Sequence, residues 1–122
     1  MIGYATIGAN DLDRATTFYD AVLGALGGKR AFANERMQFY MGGSTPGMIA
    51  ICKPYDEAPA TAGNGSMFGL AAADRAQVDA VYAAAIAAGA VDDGAPGART
   101  DTFYGAYFRD PDGNKVCVFK MG

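Results

Sequence analysis

The sequence predicts an α+β fold: two βαβββ modules forming a curved mixed sheet, with the helices on its outer face. Three observations predict it. Strand-like and helix-like stretches follow in the order strand, helix, three strands, and that order is written twice. Matching residues recur at one offset: Asp11 and Asp74 stand 74 − 11 = 63 positions apart, as do Tyr19 and Tyr82, and Tyr4 and Met67. Later in each half the offset grows, with Tyr40 to Tyr107 and Ala50 to Cys117 both 67, as a longer loop requires. Finally, Asp110-Pro111-Asp112-Gly113 closes the second half with the residues of a type I turn: Asp first, Pro presetting φ second, Gly fourth. One such unit cannot cover its own sheet, whereas two joined edge to edge can, and their concave inner face is a natural cleft.

The elements justify themselves in chain order. "MIGYATIGAN" reads as a strand. "DLDRATTFYDAVLGALGG" reads as a helix, because Asp11 is a good N-cap and Leu12, Ala15, Tyr19, Val22 and Leu26 recur at helical spacing. Gly27 and Gly28 end it. "KRAFAN", "RMQFYMG" and "GMIAICKPY" are three strands with turn residues between them. Residues 55–64, rich in small and turn-forming side chains, are a linker, and the modules are residues 1–54 and 65–122. "SMFGLAAA" opens the second module as a strand. "DRAQVDAVYAAAIAAG" is its helix, with Asp74 as N-cap, Gln77 completing a capping box, and Val78, Val81, Tyr82, Ala85 and Ala88 as the apolar stripe. "AVDDGAPGART" is irregular, with room for only a short strand, and "TFYGAYF" and "NKVCVFK" are the closing hairpin. Alternation puts Val116 and Val118 on one face of the last strand and Cys117 and Phe119 on the other, so both faces are apolar and both are covered.

Bulk composition excludes several function classes. The 122 residues suit one domain, 51% are hydrophobic, and 19% are charged. A net charge of −3 without a basic block argues against nucleic acid or an anionic membrane as the main partner. No apolar run approaches a membrane span, and Met1 leads straight into a strand without a basic leader. Two cysteines far apart in sequence read as reduced thiols, so a cytoplasmic location is expected. The chain contains no histidine, which removes the commonest general base, the commonest transition-metal ligand and any Ser-His or Cys-His nucleophile.

Three stretches carry a resemblance: "GANDLDRATTFYDAVLG" after the first strand, "DRAQVDAVYAAAIAAGA" after the fifth, and "YFRDPDGNKV" near the end. In this order the chain resembles the glyoxalase, bleomycin-resistance protein and extradiol dioxygenase superfamily, also called vicinal oxygen chelate. The resemblance covers nearly the whole chain. It implies a metal in the cleft for the family's enzymes, with His, Gln or Glu ligands from the first and last strand of each module. The positions that correspond are Tyr4, Ala50, Met67 and Cys117. Alanine cannot ligate, a thioether is a poor ligand for Zn, Mn or Mg, a phenol must lose a proton with pKa near ~10, and a single thiolate falls short of the roughly three protein ligands a catalytic site needs. The expectation is therefore the family's fold and cleft with no metal and no cofactor.

The expected ligand pocket consists of Tyr4, Ala50, Met67, Tyr104, Tyr107 and Cys117. Tyr4 is an aromatic wall, Met67 and Ala50 give shape, and Cys117 is a small buried hydrophobe rather than an activated thiol. Alternation places Tyr104 and Tyr107 on opposite faces of one strand, leaving open which of them faces the cleft. Arg109 is expected to be solvated or paired with Asp110 or Asp112. The Asp110–Asn114 stretch lacks the later bidentate glutamate of a calcium loop and reads as a turn. The function this favours is binding of a small, partly apolar molecule by a homodimer, as in the bleomycin-resistance branch. The alternatives are a lyase or isomerase working through Tyr4, Cys117 or an acidic residue that the sequence does not place, a carboxylate metal site from residues such as Glu35, Asp56 or Glu57, and a protein-interaction subunit with an idle cleft.

Overall fold

A computed structural model describes all 122 residues. The first half folds as β1 (Tyr4–Gly8), α1 (Leu12–Ala25), β2 (Gly28–Ala33), β3 (Met37–Gly42) and β4 (Met48–Cys52). The second repeats the order as β5 (Phe68–Ala71), α2 (Arg75–Ala87), β6 (Val91–Thr100), β7 (Phe103–Arg109) and β8 (Lys115–Met121). The expected βαβββ repeat is thus present twice. Each module makes its own four-stranded mixed sheet, ordered β1-β4-β3-β2 and β5-β8-β7-β6. The two sheets share no hydrogen-bonded strand pair within the chain, so β1 and β5 each keep one free edge. No helix is long and apolar enough to cross a membrane.

Both helices start where a carboxylate can satisfy free backbone donors. Asp11 accepts from the Arg14 backbone N–H at 3.0 Å and Asp74 from that of Gln77 at 2.8 Å. Gln77 also accepts from the Ala73 N–H at 2.7 Å, the reciprocal half of a capping box displaced by one residue. α1 ends at Gly27, whose φ of 93° suits the left-handed conformation that closes a helix.

One apolar core lies between the helices and the sheets. Phe18, Tyr19, Val22 and Leu23 of α1 pack with Val78, Val81 and Ala85 of α2 and with Ile7, Ile51, Phe108, Val116 and Val118 of the strands. Full burial of each valine contributes roughly 1.5–3 kcal/mol. α1 and α2 touch, so the modules meet through their helices.

The longest departure from expectation is β6. It runs ten residues, where only a short strand was expected, and its pairing with β7 shifts register three times. It tolerates Pro96 because it is the outermost strand of its sheet, where a missing N–H need not break a ladder.

The turn Asp110–Gly113 is closed by the Gly113 N–H bonding Asp110 O at 2.9 Å, with Gly113 at φ 87°. It also joins the modules. Asp110, 4% exposed, accepts from the backbone N–H of Asp112 and Asn114 through Oδ1. Its Oδ2 accepts from the Tyr19 hydroxyl of α1 at 2.7 Å and from Asn114 Nδ2 at 2.9 Å. Asn114 Nδ2 reaches on to Gly8 O of β1, and Asp112 accepts from the Asn10 N–H and from Arg14. Arg109, expected to be solvated or paired with Asp110 or Asp112, instead pairs with Asp93 at 3.1 Å, because those two carboxylates are turned inward to this joint.

Candidate functional site

Each sheet has a helix-facing side and an open side, and the open sides carry most of the expected site. In module 1, Ile7, Tyr40 and Ile51 point to the helices, so their neighbours point away. Register then aligns Thr6 with Ala50 and Ala50 with Phe39 on the open side. Tyr4 contacts Phe39 edge to face at 5.4 Å, and Phe32 stacks on the other flank of Phe39 at 4.3 Å. The bulge between Arg30 and Ala33 releases Phe32 from strict alternation. Tyr4, Phe32 and Met41 are exposed, while Ala50 lies beneath them with no exposure. This side is an aromatic and methionine platform.

In module 2, Cys117 lies between Gly69 and Tyr107 on the open side. The Tyr107 ring is flanked by two cations, Arg99 at 5.3 Å and Lys115 at 5.4 Å from its centroid. Phe103 and Phe119 stack beside them at 5.4 Å. Gly69 and Gly105 make room for those rings: a Cβ at Gly69 would meet Phe119 at 3.3 Å, and one at Gly105 would meet Phe103 at 2.9 Å.

Cys117 is 1% exposed. Burial pushes its thiol pKa up, against weaker lowering by the Tyr107 hydroxyl, Arg99 and Lys115. Burial also raises the Tyr107 phenol, with Cys117 adding to the rise. Neither group is ionised at neutral pH, so the pair is not an activated nucleophile.

Within one chain the six expected pocket residues fall in four places. Tyr4 and Ala50 share the open side of module 1, and Tyr107 and Cys117 share that of module 2. Met67 immediately precedes β5 and borders a groove of about 270 Å³ between the modules, lined also by Leu26, Met41, Ile49, Phe68 and Leu70. Tyr104 is a correction. It faces the helix layer, where its hydroxyl donates to Asp79 of α2 at 2.6 Å, because β7 keeps strict alternation through Tyr107. Sequence reading missed Phe32 and Phe39, and it missed Arg99. The β6 register shifts and the β2 bulge that orient Arg99 and Phe32 leave little trace in composition.

No group of three or more Cys, Asp, Glu or His side chains converges anywhere in the structure. At the positions that the sequence reading equates with the family's metal ligands, Tyr4 offers a phenol, Met67 a thioether and Cys117 a thiol raised by burial, and Ala50 offers no donor, a set that does not fit a divalent ion. Glu35, Asp56 and Glu57 are exposed and outside the strands.

Fold and site therefore define a two-module βαβββ protein with an apolar open side on one module and a cation-flanked one on the other. A family profile described as the Glyoxalase/Bleomycin resistance protein/Dioxygenase superfamily matches residues 1–118, and the chain belongs to that superfamily. It is 45% identical to a glyoxalase/bleomycin resistance protein from Albidiferax ferrireducens, with a TM-score of 0.90 over 98% of this chain and 97% of that one. It is 20% identical to a family enzyme from Burkholderia phytofirmans, with a TM-score of 0.78 over 98% of both chains. It is 24% identical to a lactoylglutathione lyase from Agrobacterium tumefaciens, with a TM-score of 0.70 over 98% of this chain and 92% of that one. These last two likenesses concern the fold. No match was found among curated proteins.

Proposed function

We propose that the protein binds a small, partly apolar molecule without a metal, as a homodimer that assembles each cleft from module 1 of one copy and module 2 of the other. The observation that carries the reading is the platform of Tyr4, Phe32, Phe39 and Met41, turned away from the helices. Adaptable aromatic and thioether surface suits an organic ligand, and the surrounding donors do not suit a metal. The free edges of β1 and β5 support the dimer, since unpaired edge strands seek partners and two such edges can be satisfied together by a twofold. Cys52 and Cys117 are both free and buried, which suits a reducing compartment such as the cytoplasm. The raised thiol of Cys117 favours binding over a thiol-based lyase or isomerase.

Native mass spectrometry of protein from its own cells, before and after EDTA, tests this. The expected result is a dimer carrying an organic ligand whose mass survives the chelator. A stoichiometric divalent ion whose removal releases the ligand would overturn the reading.

A further inference from the structure

The open side of module 2 carries more positive charge than it neutralises. Arg109 and Lys115 share a single carboxylate, Asp93, which lies 3.1 Å from Arg109 and 3.6 Å from Lys115. Arg99 forms no ion pair. Its Nη1 donates to Gly97 O at 2.9 Å and its Nη2 to Ala95 O at 2.8 Å, which fixes the guanidinium against the Tyr107 ring. The side chain is thus already ordered, and its remaining donors are unused. Lys115 sits on the same ring. The rest of that surface is apolar: Phe103, Phe119 and the buried Cys117. A neutral ligand would leave this charge unanswered, whereas an acidic group would gain charge-assisted bonds from a donor whose conformational cost has been met by the fold.

We propose that the ligand is an organic anion, with a carboxylate, sulfonate or phosphate held at the Tyr107 ring by Arg99 and Lys115 and an aromatic or aliphatic body lying on Tyr4, Phe32 and Phe39. This rests on the cleft proposed above, in which the two open sides face one ligand.

Two fluorescent probes with nearly the same ring body separate the claims: anilinonaphthalene sulfonate, and phenyl-naphthylamine, which lacks the sulfonate. The full-length protein is titrated with each at low salt. The sulfonate is expected to bind at least about tenfold more tightly, as charge-assisted bonds imply. That advantage is expected to fall about tenfold in Arg99→Gln and in Lys115→Gln, and to persist in Arg30→Gln, which removes a cation paired with Asp20 on α1. Melting temperatures identify any variant that loses its fold, and either of the two cleft variants suffices. Binding of both probes with equal affinity overturns the anion inference and leaves the cleft standing. Binding of neither probe overturns the cleft itself. Sulfonate binding that survives both cleft variants places the anion elsewhere and overturns the inference.

Discussion

The two modules are the same chain path with different surfaces. Phe39 opposes Ala50 in module 1, and Tyr107 opposes Cys117 in module 2. Phe39 is flanked by Phe32 and Tyr4, Tyr107 by Arg99 and Lys115. The helix-facing sides stay alike because both must fill one core, whereas the open sides carry no such constraint. Duplicating a backbone preserves the positions and leaves the chemistry free to differ. The helices show the same divergence. Tyr19 of α1 buries its hydroxyl on Asp110, and its repeat counterpart Tyr82 donates to Asp92 near the surface at 2.8 Å.

The largest expected effect follows from breaking the joint. Asp110→Ala leaves the Tyr19 hydroxyl, Asn114 and two backbone N–H groups without their acceptor. Loss of ~3 kcal/mol or more is expected in urea unfolding, since each unpaired buried donor costs about 1–3 kcal/mol. An Asp110→Ala protein as stable as the parent would show that the joint is incidental.

Truncating the platform comes next. Phe39→Ala is expected to cost about 3 kcal/mol through the cavity left between Tyr4 and Phe32, and to weaken the binding of either naphthyl probe. The two tyrosines then sharpen the comparison. Tyr19→Phe is expected to cost about 1–2 kcal/mol, and Tyr82→Phe to leave stability nearly unchanged, because water can replace an exposed partner. Equal costs would mean that the modules share the load at their helices.

The smallest effect is in pH. The raised pKa values of Cys117, Tyr107 and Tyr19 mean that the folded state holds protons the unfolded chain has released. Their stabilisation is fully present below the ordinary thiol and phenol values and is lost as pH rises from these toward the raised values of the folded state. Asp20 works in the opposite direction: Arg30, then Tyr40, lower its carboxyl against a desolvation that raises it, so its contribution is lost only as pH falls through the acid range. Stability measured from neutral to alkaline pH is expected to decline from the thiol range upward. Reaction of Cys117 with a thiol reagent is expected to stay slow at neutral pH, in contrast to an activated thiol.

Much of the fold was legible in the sequence. Asp11 and Asp74 marked both helix starts, and helical periodicity picked out Ala15, Tyr19, Val22, Val78, Val81 and Ala85. Alternation placed Val116 and Val118 in the core, apart from Cys117. The repeat offset failed by one residue on the third strands. Register equates Tyr107 with Phe39, 107 − 39 = 68, rather than with Tyr40. In a strand one residue reverses the face, so Tyr40 lies in the core and donates to Asp20 at 2.7 Å, while Tyr107 lies outside it.

The sequence by itself determined what depends on local spacing: where helices begin, which strand residues alternate, and that no histidine is present to hold a metal. Only the tertiary structure decided what depends on distance between remote segments. It put Arg99 over Tyr107 through a bulged edge strand, sent Tyr104 to Asp79 of α2, and turned Asp110 from a turn residue into the bond between modules. Such contacts join side chains from different elements, and periodicity along one element carries no information about the partner it will meet.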